Sequence, residues 1–203
     1  MYKYFAFILL LAVLLLWTGC RPCAYQSIDL GPLPEEILAK VPYQNGREYS
    51  FKHSAGHTVN FSSVRASRQE KTHLDDFGFY CNNEARIYVY EVNTTSLKPD
   101  YPIFNIRLDL CNETDSFYRF SAQIGSASFI IPVQAADTAY WPVTVADSLQ
   151  IGNKHYKEVF KLKNLNDNWY HSDSIRVDSV FYNYDQGILV IKMTNREYYA
   201  IQE

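Results

Sequence analysis

Phe104-Asn105-Ile106-Arg107-Leu108-Asp109-Leu110 alternates an apolar with a polar side chain at every step. Successive side chains of a strand point to opposite faces, so Phe104, Ile106, Leu108 and Leu110 share one buried face, while Asn105, Arg107 and Asp109 share the other. Upstream, Val59 and Phe61 alternate with Thr58, Asn60 and Ser62 in the same way. Ile87 to Val92 is apolar on both faces and reads as a central strand. Downstream, strands are expected over 118–124, 126–131, 156–162, 175–184, 188–193 and 198–201.

Turn chemistry falls between these runs. Gly152-Asn153 separates Leu149-Gln150-Ile151 from Lys154-His155-Tyr156, and a leading glycine supplies the positive φ of a two-residue hairpin turn. Asp185-Gln186-Gly187 closes a second hairpin and Thr194-Asn195-Arg196 a third, while Gly125 interrupts the run before Ser126. Many short strands at hairpin spacing predict an all-β fold, an antiparallel β-sandwich or an open barrel. One short N-terminal helix is expected over 33–40, where Pro34 and two glutamates suit a first turn and Pro42 ends the run. The segment 135–147 reads as a longer loop or a boundary between halves.

The beginning of the chain has a different character. Lys3 precedes an apolar run from Tyr4 to Trp17. Fourteen helical residues span roughly 21 Å, short of the roughly 30 Å hydrocarbon core, which fits a secretory signal better than a membrane span. Leu16-Trp17-Thr18-Gly19-Cys20 follows and resembles the lipobox of bacterial lipoproteins, with Trp17 where that family prefers leucine. The resemblance implies cleavage after Gly19 and a diacylglycerol on the Cys20 thiol, which ties the chain to a membrane by its lipid. Two or more acyl chains hold a protein stably where one does so only marginally. Arg21 follows Cys20 rather than Asp, and no acidic cluster comes after it. By the sorting pattern of such lipoproteins, this implies an outer-membrane, periplasm-facing position. The domain plan is then a signal peptide at 1–19, a lipidated tether at 20–32 and an all-β domain at 33–203. A further pattern-level likeness, to uncharacterised lipoproteins of Gram-negative gut anaerobes, is carried by Val41-Pro42-Tyr43-Gln44-Asn45-Gly46-Arg47-Glu48-Tyr49-Ser50-Phe51 and by the closing hairpin from Tyr184 to Ile201. It implies no activity.

Composition narrows the function classes. The 203-residue chain has a formal net charge of −3, and loss of Lys3 with the signal leaves 184 residues near −4. That mild acidity argues against nucleic acid or anionic lipid as a partner. A domain of this size buries roughly 70% of its unfolded surface and needs no metal to fold. Cys20-Arg21-Pro22-Cys23 has thiol-redox spacing, but a lipidated Cys20 removes that reading. Cys81 and Cys111, flanking a hairpin, are the expected disulfide, worth roughly 3–4 kcal/mol by loop closure, with Cys23 able to compete.

Candidate chemistry is sparse. His53-Ser54-Ala55-Gly56-His57 places two histidines across a turn, read as solvated, with no third ligand close in sequence. Asp75-Asp76 supplies paired carboxylates, but neighbours on a strand face apart. Asp109 sits on the polar face beside Arg107, where a cross-strand charge pair accounts for it. Tyr80, Tyr88, Tyr90, Trp141, Trp169 and Tyr170 are candidates for an aromatic platform under a sugar ring, with Trp141, Trp169 and Tyr170 in turn-like surroundings and core packing the competing assignment. Asp137-Thr138-Ala139, Asp147-Ser148-Leu149, Asp173-Ser174-Ile175 and Asp178-Ser179-Val180 resemble the O-glycosylation sequon of some anaerobes, which makes Thr138, Ser148, Ser174 and Ser179 candidate glycan carriers. No nucleophile elbow, phosphate loop or dinucleotide fingerprint occurs. The leading expectation is a non-enzymatic module without cofactor or metal that binds an envelope protein or a glycan. The alternative is a glycan-active hydrolase of the envelope using Asp75 or Asp76, and a third reading is a structural adhesin.

Overall fold

A computed structural model describes residues 26–74, 86–101, 103–114, 117–166 and 175–202. The fold is the all-β, antiparallel class the alternation predicts, built as one curled sheet in the form of a half-barrel, so the open-barrel expectation holds. In chain order its strands are β1 (Gln26–Asp29), β2 (Glu48–His53), β3 (Thr58–Leu74), β4 (Arg86–Pro99), β5 (Ile106–Thr114) and β6 (Phe117–Ile124). They continue as β7 (Ala127–Ile130), β8 (Val143–Ile151), β9 (Lys154–Lys163), β10 (Val177–Asn183), β11 (Gly187–Met193) and β12 (Tyr198–Gln202). The short helix is α1 (Glu35–Leu38), inside the expected range, with Glu35 and Glu36 in its first turn where they complement the helix dipole.

Across the sheet the order is β7-β6-β5-β4-β3-β2-β12-β11-β10-β9-β8, antiparallel throughout. Nearly every neighbour in that order is a sequence neighbour joined by a hairpin. The exception is β12 beside β2, which seats the last strand against the second. The sheet curls until the residues after β9 reach β7. The Leu165 amide donates to the Ser128 carbonyl (2.9 Å), and the Asn164 side chain accepts from the Ser128 amide (3.2 Å).

The concave face holds the main core. Phe51, Phe61, Leu97, Ile106, Leu108, Leu110, Phe120, Ile124 and Phe129 are buried there, each in the parity its strand alternation dictates. What fills the curl is the N-terminal segment: Leu33, Ile37, Val41 and Tyr43 are buried in the same cluster. Burying four such side chains contributes roughly 1.5–3 kcal/mol each, far more than a one-turn helix gains from its own propensity.

A second, smaller cluster lies on the convex face. Glu158, in the middle of β9, has φ 51, a left-handed backbone uncommon for a non-glycine residue. The parity of β9 changes there: Phe160 and Leu162 face the main core, while Tyr156 joins Val159 on the other side. The bend carries the far half of the β8–β9 hairpin over the sheet, where Leu149, Ile151 and Tyr156 pack with Phe181, Leu189, Val190 and Ala200.

Three features differ from the sequence reading. Residues 26–29, expected in a tether ending at 32, form β1, which pairs with β4 in parallel from Gln26↔Arg86 to Asp29↔Val89. The open flank of β4 offers its backbone groups to an extended segment beside it, and residues 26–29 take that place. Residues 143–147, expected within a loop, are half of β8, and the irregular stretch shrinks to a one-turn 3-10 helix over Ala135–Ala139. β3 runs for seventeen residues: beyond Ser62, where its pairing with β2 ends, it continues against β4 as far as Leu74.

Candidate functional site

The half-barrel has two ends. β3 runs from the far end to the ribbon end, where its last residues pair with β4 but no longer with β2. Pairing places the His53–His57 turn and the 194–197 turn at the far end, and Glu48, Gln202 and the 184–187 turn at the ribbon end.

The N-terminal segment closes the ribbon end as a stopper. Tyr43 has no exposed surface, and its hydroxyl accepts a hydrogen bond from the Ile188 amide (2.7 Å). The Tyr182 hydroxyl donates to the Lys40 carbonyl (2.5 Å) and Tyr184 to the Pro132 carbonyl (2.5 Å), while the Lys40 ammonium lies 4.0 Å above the Tyr184 ring. Burial raises all three phenols, those of Tyr43 and Tyr182 well above the ordinary range and that of Tyr184 to about 12, because a phenolate in a dry site loses its hydration. They act as neutral hydrogen-bonding struts. Where the segment enters, the Leu33 amide donates to Glu91 (3.1 Å), whose other carboxylate oxygen accepts from Ser67. Arg65 reaches the Tyr43 carbonyl (3.4 Å) and Asn93 (3.2 Å).

Beside this stopper lies a groove of about 550 Å³, lined by Pro42, Gln44, Arg47, Glu48, Tyr49, Asp185 and Gln186 among others. Tyr49 forms part of its floor: it packs edge-on to Tyr43 at 4.8 Å and accepts from the Gln44 amide (2.8 Å). The Asp185-Gln186 turn is fixed by the Gln186 amide donating to Asn183 (2.9 Å). Gln44, Arg47, Glu48, Asp185 and Gln186 are all exposed. The groove thus offers one guanidinium, two carboxylates and two amides around an aromatic edge. That donor and acceptor set suits an extended polar ligand, such as a peptide or a saccharide chain.

Most residues singled out by sequence lie elsewhere. Cys20, Asp75, Asp76, Tyr80, Cys81, Trp169, Tyr170 and Ser174 lie outside the described residues. Cys111 is buried on β5, on the outward-facing side of the sheet, against Tyr90, Val92 and Leu30; burial pushes its thiol up and the nearby Arg119 opposes that. Tyr88 and Tyr90 are buried, so they join packing rather than an exposed aromatic platform. Trp141 is half-buried, next to Tyr140, which is 83% exposed. Thr138 is partly exposed on the 3-10 turn and Ser148 is exposed on β8. Ser179 is 2% exposed, with its hydroxyl donating to Asp178 (2.9 Å).

The His53–His57 turn forms as expected, but it is not wholly solvated. His53 is buried, stacked on His57 at 4.4 Å and tilted against Tyr199 at 4.6 Å; its Nδ1 accepts from the Ala55 amide (3.2 Å), and its Nε2 lies 3.8 Å from Glu197. Among the described residues no group of three or more His, Cys, Asp or Glu side chains is arranged to hold a metal ion. Asp109 pairs with Arg107 on its own strand (2.8 Å) rather than with a charge across the sheet, and accepts from Thr94 on the neighbouring β4.

The groove itself was missed by sequence reasoning. Its two halves, 42–50 and 185–186, were each recognised as strand and turn, yet they lie some 140 residues apart in the chain. Only the β12–β2 pairing brings them together. Among the described residues no helix is long and apolar enough to cross a membrane. No family model, curated protein or solved structure matches the chain.

Proposed function

We propose that this chain is a membrane-anchored lipoprotein of the bacterial envelope, held in the outer membrane by lipid on Cys20 and facing the periplasm, which presents its half-barrel as a binding module. The observation that carries the reading is Leu16-Trp17-Thr18-Gly19-Cys20 directly after a fourteen-residue apolar run. The fold supports it, since the body exposes a polar groove of a size that takes part of a peptide or a glycan chain.

Substituting Cys20→Ala tests the anchor. Metabolic labelling with a clickable fatty acid is expected to mark the wild-type chain and leave the variant unmarked and released from the membrane fraction. Continued labelling of the variant would place the lipid on another residue. A glycan or envelope-peptide array probed with the soluble domain tests the groove: Arg47→Ala with Gln186→Ala is expected to weaken any captured ligand at least tenfold.

A further inference from the structure

Three arginines of the sheet are neutralised where they stand: Arg68 by Glu70 (2.7 Å), Arg107 by Asp109 (2.8 Å) and Arg119 by Glu113 (2.6 Å). The groove beside the stopper is different. Arg47, Glu48 and Asp185 line it and are exposed, yet among the described residues none of the three is in an ion pair. The Arg47 guanidinium donates only a long hydrogen bond, to the Gln44 amide oxygen at 3.5 Å. The backbone that carries these charges is pinned. On one wall the Gly46 amide donates to the Ser63 carbonyl (2.7 Å), the Ser63 amide to the Arg47 carbonyl (2.9 Å) and the Arg65 amide to the Asn45 side chain (3.0 Å). On the other, the Gln186 amide is tied to Asn183 (2.9 Å). Charges of both signs are thus held in place without partners, which lowers the ordering cost of a ligand that supplies them.

Any ligand that covers this groove strips water from a guanidinium and two carboxylates. A charge desolvated without a partner is strongly unfavourable, whereas a charge that gains a counter-charge is not. A neutral saccharide brings no counter-charge. A peptide with one cation and one carboxylate pairs both signs. Tyr49 points the same way: its ring is half-buried and packed edge-on to Tyr43, and its hydroxyl is held by the Gln44 amide, so it forms a wall rather than an open platform for a sugar ring. We propose that the groove takes an extended peptide segment of mixed charge, with its carboxylate on Arg47 and its lysine, arginine or free amine on Glu48 or Asp185. This rests on the reading of the groove as the binding site and narrows its ligand to one class.

The test passes the full chain, in detergent, over a label-free surface array. One set of spots carries hexapeptides with one lysine and one glutamate at every order and spacing. A second carries the same peptides with methionine for lysine and glutamine for glutamate, and a third carries neutral oligosaccharides of glucose, mannose and N-acetylglucosamine. At least one mixed-charge spacing is expected to retain the chain at least tenfold above its neutral counterpart. Arg47→Glu, and Glu48→Lys with Asp185→Lys, should each abolish that difference, whereas Arg119→Ala, outside the groove, should leave it unchanged. All these positions are exposed, and an unaltered urea midpoint confirms that each variant is folded. Capture by neutral oligosaccharides in place of peptides, lost in Arg47→Ala with Gln186→Ala, overturns the peptide class and keeps the groove as the site. Peptide capture that survives both charge reversals, or no capture on any spot, overturns the groove as the site and the peptide class with it.

Discussion

The Tyr43 ring lies against the bare Cα of Gly187, so that a Cβ built on Gly187 would overlap the phenol oxygen and the ring carbons beside it. One residue belongs to the N-terminal stopper and the other to the start of β11, 144 positions later. Gly187 also has φ 82, which L side chains rarely adopt. Two independent demands thus fall on one glycine, and the stopper is seated by the absence of a side chain.

Gly187→Ala is expected to destabilise the domain by roughly 2–4 kcal/mol, combining left-handed backbone strain with overpacking. The midpoint of urea unfolding measures it. A midpoint equal to that of the wild type would mean the Tyr43 ring is not seated there. An Ala at Gly46, equally left-handed at φ 76 but with open space around it, should cost only the backbone part, about 1–2 kcal/mol.

Removing the Tyr43 hydroxyl isolates its hydrogen bond. Tyr43→Phe keeps the packing but leaves the Ile188 amide without its acceptor in a dry site, at a cost of roughly 1–3 kcal/mol. Amide exchange at Ile188 should accelerate by a matching factor, and unchanged protection would show that the amide has another acceptor.

Alkali should loosen the stopper. Tyr43, Tyr182 and Tyr184 have phenols raised by burial, Tyr184 to about 12, while an unfolded tyrosine ionises near 10. Below pH 10 both states carry the proton and these groups add no pH dependence. Above it the unfolded chain loses protons that the folded chain retains, so stability falls as pH rises from about 10 toward the folded values. Unfolding free energy measured from pH 8 to 11 should be flat and then decline. The double substitution Tyr182→Phe with Tyr184→Phe should flatten the decline, and an equal slope in that variant would assign it to other groups.

The bend in β9 gives a test of the convex cluster. Glu158→Val puts a β-branched residue at φ 51 and is expected to cost about 1–2 kcal/mol, whereas Glu158→Gly should be nearly neutral. Amide exchange at Tyr156 and Val159 should accelerate in the Val variant relative to the main core. An equally stable Val variant would mean the strand runs straight and the hairpin does not fold over the sheet.

The alternation of Phe104 to Leu110 dictated β5 residue by residue, because each apolar side chain there faces one core and each polar one faces away. The Gly152-Asn153 turn was equally legible: Ile151 and Lys154 pair across two residues, and Gly152 takes φ 57, as the hairpin requires. These are local demands, satisfied within a few residues. The groove was invisible for the opposite reason. Arg47 and Asp185 acquire a common surface only when β12 pairs with β2, and nothing in the neighbourhood of either residue encodes the other.

The sequence by itself determined the period-two pattern and hence the β class, the turns, and a cysteine in a lipobox-like setting, since each depends on neighbours along the chain. Tertiary structure alone decided that the sheet curls into a half-barrel, that residues 33–43 fill it, and that residues 26–29 pair in parallel with β4. Those outcomes depend on which buried faces meet and which backbone edges are left to pair. The energies that decide them are summed over contacts between residues far apart in the chain.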